Sequence, residues 1–341
     1  MKKIKIAQIG TEHDHAWVTA ESLRKQDDIF EFIGYCNPED IHARFDETSD
    51  RYRYSRRLTL EEILSTSDLD AVAIETSEHN LTKYSLIAAH HGLHIHMDKP
   101  GGYDHLEFIQ LVEMMKSKNL IFHTGYMYRY NPAVIDALEM AKSGKLGQIY
   151  SVEAHMNCEQ PALKRQWLAQ YNGGMMYFLG CHLVDLIMQF QGEADEIIPL
   201  NKKTMSKNID SEDLCMAIFK YKNGLSFAKS CGAEVGGFMR RQLVICGTKA
   251  TVEINPLEYF EDTVGSSVLN TDMRIVDVSE SEKVGWGAKG TTKTYGPFDR
   301  YDYMMQHFAK MINGEITIPD LYDYEIKLHK AVLNACGFNL K

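Results

Sequence analysis

Residues 3–15 read Lys3-Ile4-Lys5-Ile6-Ala7-Gln8-Ile9-Gly10-Thr11-Glu12-His13-Asp14-His15, an apolar β-rich run that stops at a glycine, and residues 16–25 then suit a helix. A strand that turns at a glycine into a helix starts a βαβ unit. The helix N-terminus there presents unpaired N–H groups and the positive end of its dipole to an anion such as a diphosphate. Working outward, further strands are expected at 30–36, 71–75, 94–97 and 120–123, with helices at 60–64, 81–91 and 106–116 between them. Parallel neighbours need such crossovers, so this half of the chain reads as a parallel sheet wrapped by helices. Gly92, just before the fourth strand, is the expected C-cap of its helix.

Beyond residue 125 the pattern changes. A helix is expected at 133–142, followed by alternating runs at 148–157, 214–221, 226–231, 242–246 and 251–254. Lys222-Asn223-Gly224 between two of these runs signals a hairpin. Successive alternating runs predict a large, mostly antiparallel sheet with one open face. Helical patterns close the chain at 301–311 and 324–336. The fold class is therefore α/β, in two domains, 1–124 and 125–341, with the last helix free to pack back on the first; 341 residues suit two cores better than one.

Composition narrows the function classes. With 44% hydrophobic and 25% charged residues the chain is globular, and its net charge of −10 comes from intermixed charges with no basic stripe, which argues against nucleic acid as a partner. No window reaches the roughly 18 apolar residues of a membrane helix, and the N-terminal apolar run is too short for a signal peptide. Seven scattered cysteines without a CxxC pair read as buried free thiols of a cytoplasmic protein.

The glycine loop is unusual. A dinucleotide fingerprint is G-x-G-x-x-G, yet Gly10 to His15 keep only the first glycine. Glu12 stands where bare backbone would approach a phosphate, and its carboxylate repels one unless it points away. His13 and His15 are metal-ligand types two residues apart, but no second cluster nearby completes a coordination sphere. Polar capping of the helix start is the favoured reading, and no metal is assigned. The second strand ends Gly34-Tyr35-Cys36-Asn37-Pro38. An acid there binds a ribose 2′-hydroxyl and an arginine a 2′-phosphate. Asn37 does neither, and Glu39 and Asp40 disfavour a phosphate, so NAD is expected with NADP open.

Three later segments carry a family likeness. Gly92-Leu93-His94-Ile95-His96-Met97-Asp98-Lys99-Pro100 is similar to A-G-K-H-V-x-x-E-K-P, with Asp for Glu. Gly125-Tyr126-Met127-Tyr128-Arg129-Tyr130-Asn131-Pro132 is similar to G-[FY]-x-x-R-[FY]-x-P. Gly173-Gly174-Met175-Met176-Tyr177-Phe178-Leu179-Gly180-Cys181-His182-Leu183-Val184-Asp185 is similar to G-G-x-x-x-D-x-G-x-H-x-x-D. In this order and spacing they resemble the glucose–fructose oxidoreductase / inositol dehydrogenase (Gfo/Idh/MocA) family over nearly the whole chain.

The resemblance implies an N-terminal Rossmann dinucleotide-binding domain, a second α/β domain with an open sheet, and hydride exchange between NAD(P) and a hydroxyl-bearing carbon of a sugar, polyol or cyclitol-like small molecule. It gives Lys99 and His182 as catalytic residues. An ammonium beside a hydroxyl can relay its proton or stabilise alkoxide charge, and the end of a parallel strand is where ligands bind. The resemblance also implies a cis peptide before Pro100. His182 titrates near neutrality, and Asp185, three residues on, shares its helix face and can orient it. Asp185, His155, Tyr126, Arg129 and Trp167 form the expected substrate set, Arg129 and His155 having structural readings as alternatives. Gly10, Thr11, Glu12, His13, Asn37, Thr76, Ser77, His79, Asp98, Lys99 and Tyr128 form the expected cofactor set.

Two departures stand out. Phe178 replaces the family's aspartate, and Leu81 stands where T-P-N-x-x-H has histidine. They leave open an NAD-dependent glycosidase working by transient oxidation, or a non-catalytic ligand-binding relative. An open sheet face further predicts a homodimer or homotetramer.

Overall fold

The computed structural model describes residues 3–39, 51–53, 55–263 and 266–340, so Asp40 lies outside the described residues. The chain divides into two compact units, Met1–Met127 with Arg300–His329, and Tyr128–Asp299 with Lys330–Lys341. Residues 300–329, read from sequence as part of the second domain, group with the first unit.

The first unit is built on a five-stranded parallel sheet in the order β2-β1-β3-β4-β5. Its strands are β1 (Ile4–Ile9), β2 (Phe30–Cys36), β3 (Ala71–Ile74), β4 (His94–Met97) and β5 (Phe122–Thr124). All four residues of β3 are buried, as expected for a strand covered on both faces. Leu81, Ala88 and Ala89 from the Leu81–His90 helix, and Phe108, Leu111 and Met115 from the His105–Ser117 helix, pack against Ile74, Ile95 and Met97. Asp104 caps the second of these helices, accepting the Leu106 and Glu107 N–H groups at 3.0 Å. Register is what builds the site. Ile9 pairs with Ile74 and Ile74 with Met97, so the residues that follow β1, β3 and β4 emerge side by side at one sheet edge. Gly10 is obligatory there: its φ is +93°, and a Cβ would come within 2.5 Å of the Thr76 nitrogen.

The second unit carries a nine-stranded sheet, β12-β13-β11-β10-β6-β9-β8-β7, with β14 paired to β13. Its expected strands appear as β6 (Ile149–Asn157), β8 (Leu214–Tyr221), β9 (Gly224–Cys231), β10 (Gln242–Gly247) and β11 (Ala250–Ile254). Tyr221 pairs with Gly224, which makes the expected hairpin, and among the described residues of this sheet only the β6–β9 pair is parallel. Four strands were missed: β7 (Glu196–Pro199), β12 (Tyr259–Thr263), β13 (Ser266–Asp277) and β14 (Thr291–Phe298). They lie at or near the sheet's ends, and most of β14 is exposed, so no apolar alternation marks them. The Cys181–Gln191 helix lies on the face formed by Val152, Ala154 and Met156 of β6.

Candidate active site

At the edge where β1, β3 and β4 end, the first unit buries an unusual group of charges. Lys99 is only 1% exposed, and the Lys99–Pro100 peptide is cis, as the resemblance implies. The Lys99 backbone N–H donates to Asp98 Oδ1 at 2.6 Å, and its carbonyl lies 3.1 Å from His13 Nε2. Asp98 Oδ2 faces two imidazoles, His13 Nδ1 at 3.1 Å and His15 Nδ1 at 3.0 Å. Glu75, the residue after β3, is fully buried with Oε2 3.7 Å from His13 Nδ1.

Burial, reinforced by the Asp98 charge, pushes the Glu75 carboxyl well above the usual range. Burial alone would raise Asp98 too, but the imidazoles against it hold it well below that range. His15 is lowered by burial, partly offset by Asp98. Next along the sheet, His96 Nδ1 lies 2.8 Å from His123 Nδ1, and burial takes His96 down to about 4. Two carboxyls displaced in opposite directions beside a buried lysine mark this edge as a candidate functional site.

The capping reading of the His13/His15 pair needs correction. His15 is the N-cap residue of the Ala16–Lys25 helix, but its side chain makes no capping bond and turns to Asp98. His13 Nδ1 instead accepts the His15 N–H at 3.2 Å. The third group that sequence could not supply, Asp98, comes from the end of β4.

The remaining expected cofactor residues fall around this edge. Glu12 is buried and turns back to accept the Thr11 N–H at 3.0 Å, the group a diphosphate would otherwise take. Thr76 abuts Gly10, Ser77 Oγ accepts from Asn80 at 3.2 Å, and the His79 ring meets Tyr103 edge-on at 5.3 Å. Asn37 follows β2 and is half-buried. Glu39, its acidic neighbour, accepts from Lys83 and Tyr84 at 2.8 Å and from Asn80 at 3.0 Å, and the Lys83 bond leads in pulling its carboxyl below the usual range. Tyr126 is buried in the first unit.

In the second unit, Gly173 and Gly174 make close passes that no side chain would permit; a Cβ on Gly174 would lie 2.2 Å from the Glu212 carbonyl oxygen. A π-helical turn, Met176–Gly180, then leads into the Cys181–Gln191 helix, whose first turn carries a fully buried His182. π-turns recur at functional sites. Tyr128 presents its ring edge-on to His182 at 5.1 Å and donates its hydroxyl to Glu258 at 2.5 Å, with Arg241 on the same carboxylate at 2.8 Å. Tyr128, expected from sequence as a cofactor contact, here packs its ring on His182 and gives its hydroxyl to Glu258.

Asp185 accepts from Arg129 Nε at 2.9 Å and from Nη2 at 2.7 Å, a two-pronged pair. Arg129 thus has an ion-pair partner in Asp185, as its structural reading has it. Phe178 lines one side of the Lys164 ammonium and Trp167 another, each 4.1 Å from the ring centre. His155, expected in the substrate set or as a plain sheet histidine, is half-buried on its strand. It alternates with Ala154 and Met156 and so points away from the face that carries the His182 helix.

Sequence reasoning missed Glu75, Lys164, Glu258, Arg241 and the buried Arg165–Asp213 pair, whose Nη1–Oδ2 distance is 2.9 Å. Only Glu75 gave a signal, a carboxylate ending an otherwise apolar strand.

Residues 134–253 match the model of the GFO/IDH/MocA C-terminal domain. An uncharacterized oxidoreductase, ORF334 of Rhizobium meliloti, is 21% identical over 81% of this chain and 79% of its own length. A D-xylose 1-dehydrogenase (NADP(+)) of Haloferax volcanii is 23% identical over 74% of this chain and 72% of its own. A levoglucosan dehydrogenase solved with NADH and levoglucosan superposes with a TM-score of 0.76 at 14% identity, covering 98% of this chain and 97% of its own, a likeness of fold. Residues 134–253 thus match the GFO/IDH/MocA C-terminal domain, and the chain as a whole shares the fold of the levoglucosan dehydrogenase.

Proposed function

We propose that this protein is an NAD(P)-dependent dehydrogenase or reductase acting on a hydroxyl-bearing carbon of a sugar or polyol, with Lys99 and His182 handling the proton. The observation that carries this reading is Lys99, an ammonium 1% exposed at the C-terminal end of a central parallel strand. Isolating such a charge from water is costly, and ligand sites of open parallel sheets lie at that end.

The residues fit a dinucleotide on one condition. Gly10 keeps the β1 turn close to Thr76, but Glu12 holds the Thr11 N–H and must release it before a diphosphate can bind. When bound, the nicotinamide supplies the hydride acceptor or donor. The protein supplies the rest. Oxidation of CH–OH to C=O sends the hydroxyl proton to His182, while the Lys99 ammonium stabilises the alkoxide charge that develops. Arg129, gripping Asp185, holds the helix turn below His182. The half-exposed sheet face supports a homo-oligomer, which light scattering after size exclusion would reveal.

The test is turnover of a sugar and polyol panel with NAD⁺ and NADP⁺, followed by nicotinamide absorbance. Lys99→Met is expected to lower kcat by about 10²–10⁴-fold. Unchanged turnover in that variant refutes the role of Lys99. Calorimetry showing no affinity for either dinucleotide refutes the cofactor.

A further inference from the structure

The edge that buries Lys99 also brings together three metal-ligand atoms from two distant stretches of chain. One imidazole nitrogen each from His13 and His15 and a carboxylate oxygen of Asp98 all lie within 4.8 Å of one another. Both imidazole nitrogens approach the same atom, Asp98 Oδ2, at 3.1 and 3.0 Å. Donors at about 2.0–2.1 Å from a tetrahedral ion stand roughly 3.3 Å apart, so these separations suit a shared cation.

Hydrogen bonding sharpens the case. His13 Nε2 lies 3.1 Å from the Lys99 carbonyl, which can only accept, so Nε2 carries a hydrogen. In a neutral ring Nδ1 is then a lone pair, consistent with its accepting the His15 N–H at 3.2 Å. That lone pair confronts a carboxylate oxygen at 3.1 Å, a repulsive contact unless a proton or a metal ion lies between them. A ligating histidine that donates its other N–H to a backbone carbonyl is also the usual arrangement behind a metal.

A second observation points the same way. Neither oxygen of the buried Glu75 makes a hydrogen bond among the described residues, and Oε2 lies 3.7 Å from His13 Nδ1. Glu78 Oε1 adds a further buried carboxylate 4.0 Å from His13 Nε2. Three carboxyls therefore crowd this pair of imidazoles, with Lys99 the neighbouring buried cation.

We propose that His13 Nδ1, His15 Nδ1, Asp98 Oδ2 and a Glu75 oxygen hold one first-row divalent cation, with Zn²⁺ the best match to two imidazoles and two carboxylates. The ion ties the loop after β1 to the end of β4 and fixes the backbone that carries Lys99. His13 and Asp98 also stand in the expected cofactor set, but the assignment is argued from the ligand geometry and not from the dinucleotide reading.

The experiment strips the full chain with a chelator, adds Zn²⁺, dialyses, and measures metal per chain by mass spectrometry; Co²⁺ substitution reports coordination by its visible spectrum. Wild type is expected to retain one equivalent, to melt higher with Zn²⁺, and to give a tetrahedral Co²⁺ spectrum. His15→Ala, at a partly exposed ligand, is expected to lose affinity by more than the roughly 10–100-fold that altering a group behind a ligand costs. Glu75→Gln keeps the shape of the site and is expected to weaken binding with the fold intact by circular dichroism. Wild type retaining no more Zn²⁺ than His15→Ala, or a Co²⁺ spectrum like that of the aqueous ion, overturns the proposal. Dinucleotide calorimetry on the same samples separates the two readings: zinc without NAD(P) leaves this site standing, and NAD(P) without zinc removes it.

Discussion

Acidification should destabilise the first unit through one identifiable group, His329. Its Nε2 lies 3.1 Å from the Gly102 carbonyl, its Nδ1 lies 2.9 Å from His105 Nδ1, and its ring stacks on Phe108 at 4.0 Å. Burial, reinforced by the facing His105, carries it from 6.5 down to about 3. The folded state therefore keeps the ring neutral while the unfolded chain takes up a proton from pH 6.5 downward. This contribution is whole above 6.5 and is lost as pH falls toward about 3. Between pH 7 and pH 5 the loss is set by the interval from 6.5 to 5, which at roughly 1.4 kcal/mol per pH unit is about 2 kcal/mol. The assay is urea denaturation followed by circular dichroism at both pH values, in wild type and in His329→Gln, whose amide can still donate to the Gly102 carbonyl but does not titrate. Wild type should lose about 2 kcal/mol more than the variant on going to pH 5. Equal losses would refute the reasoning, because then His329 either remains neutral in both states or charges in both.

Two further substitutions test the packing that frames the site. Gly10→Ala, forcing a methyl to 2.5 Å from the Thr76 nitrogen at φ +93°, should cost about 3 kcal/mol, and an unshifted melting curve would show that the β3 end yields freely. Arg165→Met strips Asp213 of its ion-pair partner and should cost about 3–5 kcal/mol in urea, whereas Arg165→Met with Asp213→Asn should recover part of that; a neutral single variant would contradict a buried pair.

The parallel half was legible because its strands are short apolar runs set off by glycines, and each helix carried an apolar face. Leu214–Tyr221 appeared with the ends expected, since a hairpin and strict alternation fixed it. By contrast, Ser266–Asp277 and Thr291–Phe298 pair with each other at the sheet's far end, where polar side chains are tolerated on both faces. Single motifs marked Lys99 and His182, but their surroundings arise from pairings across the chain. Asp98 meets His15 across 83 residues, and Tyr128 meets Glu258 across 130. A one-dimensional spacing cannot register those meetings. The alternation of β6 could have shown that His155 shares no face with the helix-covered Ala154, had the position of that helix been known.

The grip of Arg129 on Asp185 joins two stretches that a reader of the sequence counts as separate marks of kinship. They are one device. Because Asp185 is almost wholly enclosed, losing Arg129 takes a two-pronged ion pair from a carboxylate that water scarcely reaches. A lineage can therefore leave this arrangement only by changing both positions nearly together, and single steps lead through an impaired intermediate. The two sites should drift as a pair across relatives, and swapping one without the other when grafting a new specificity onto this scaffold should fail for reasons unrelated to the chemistry being installed.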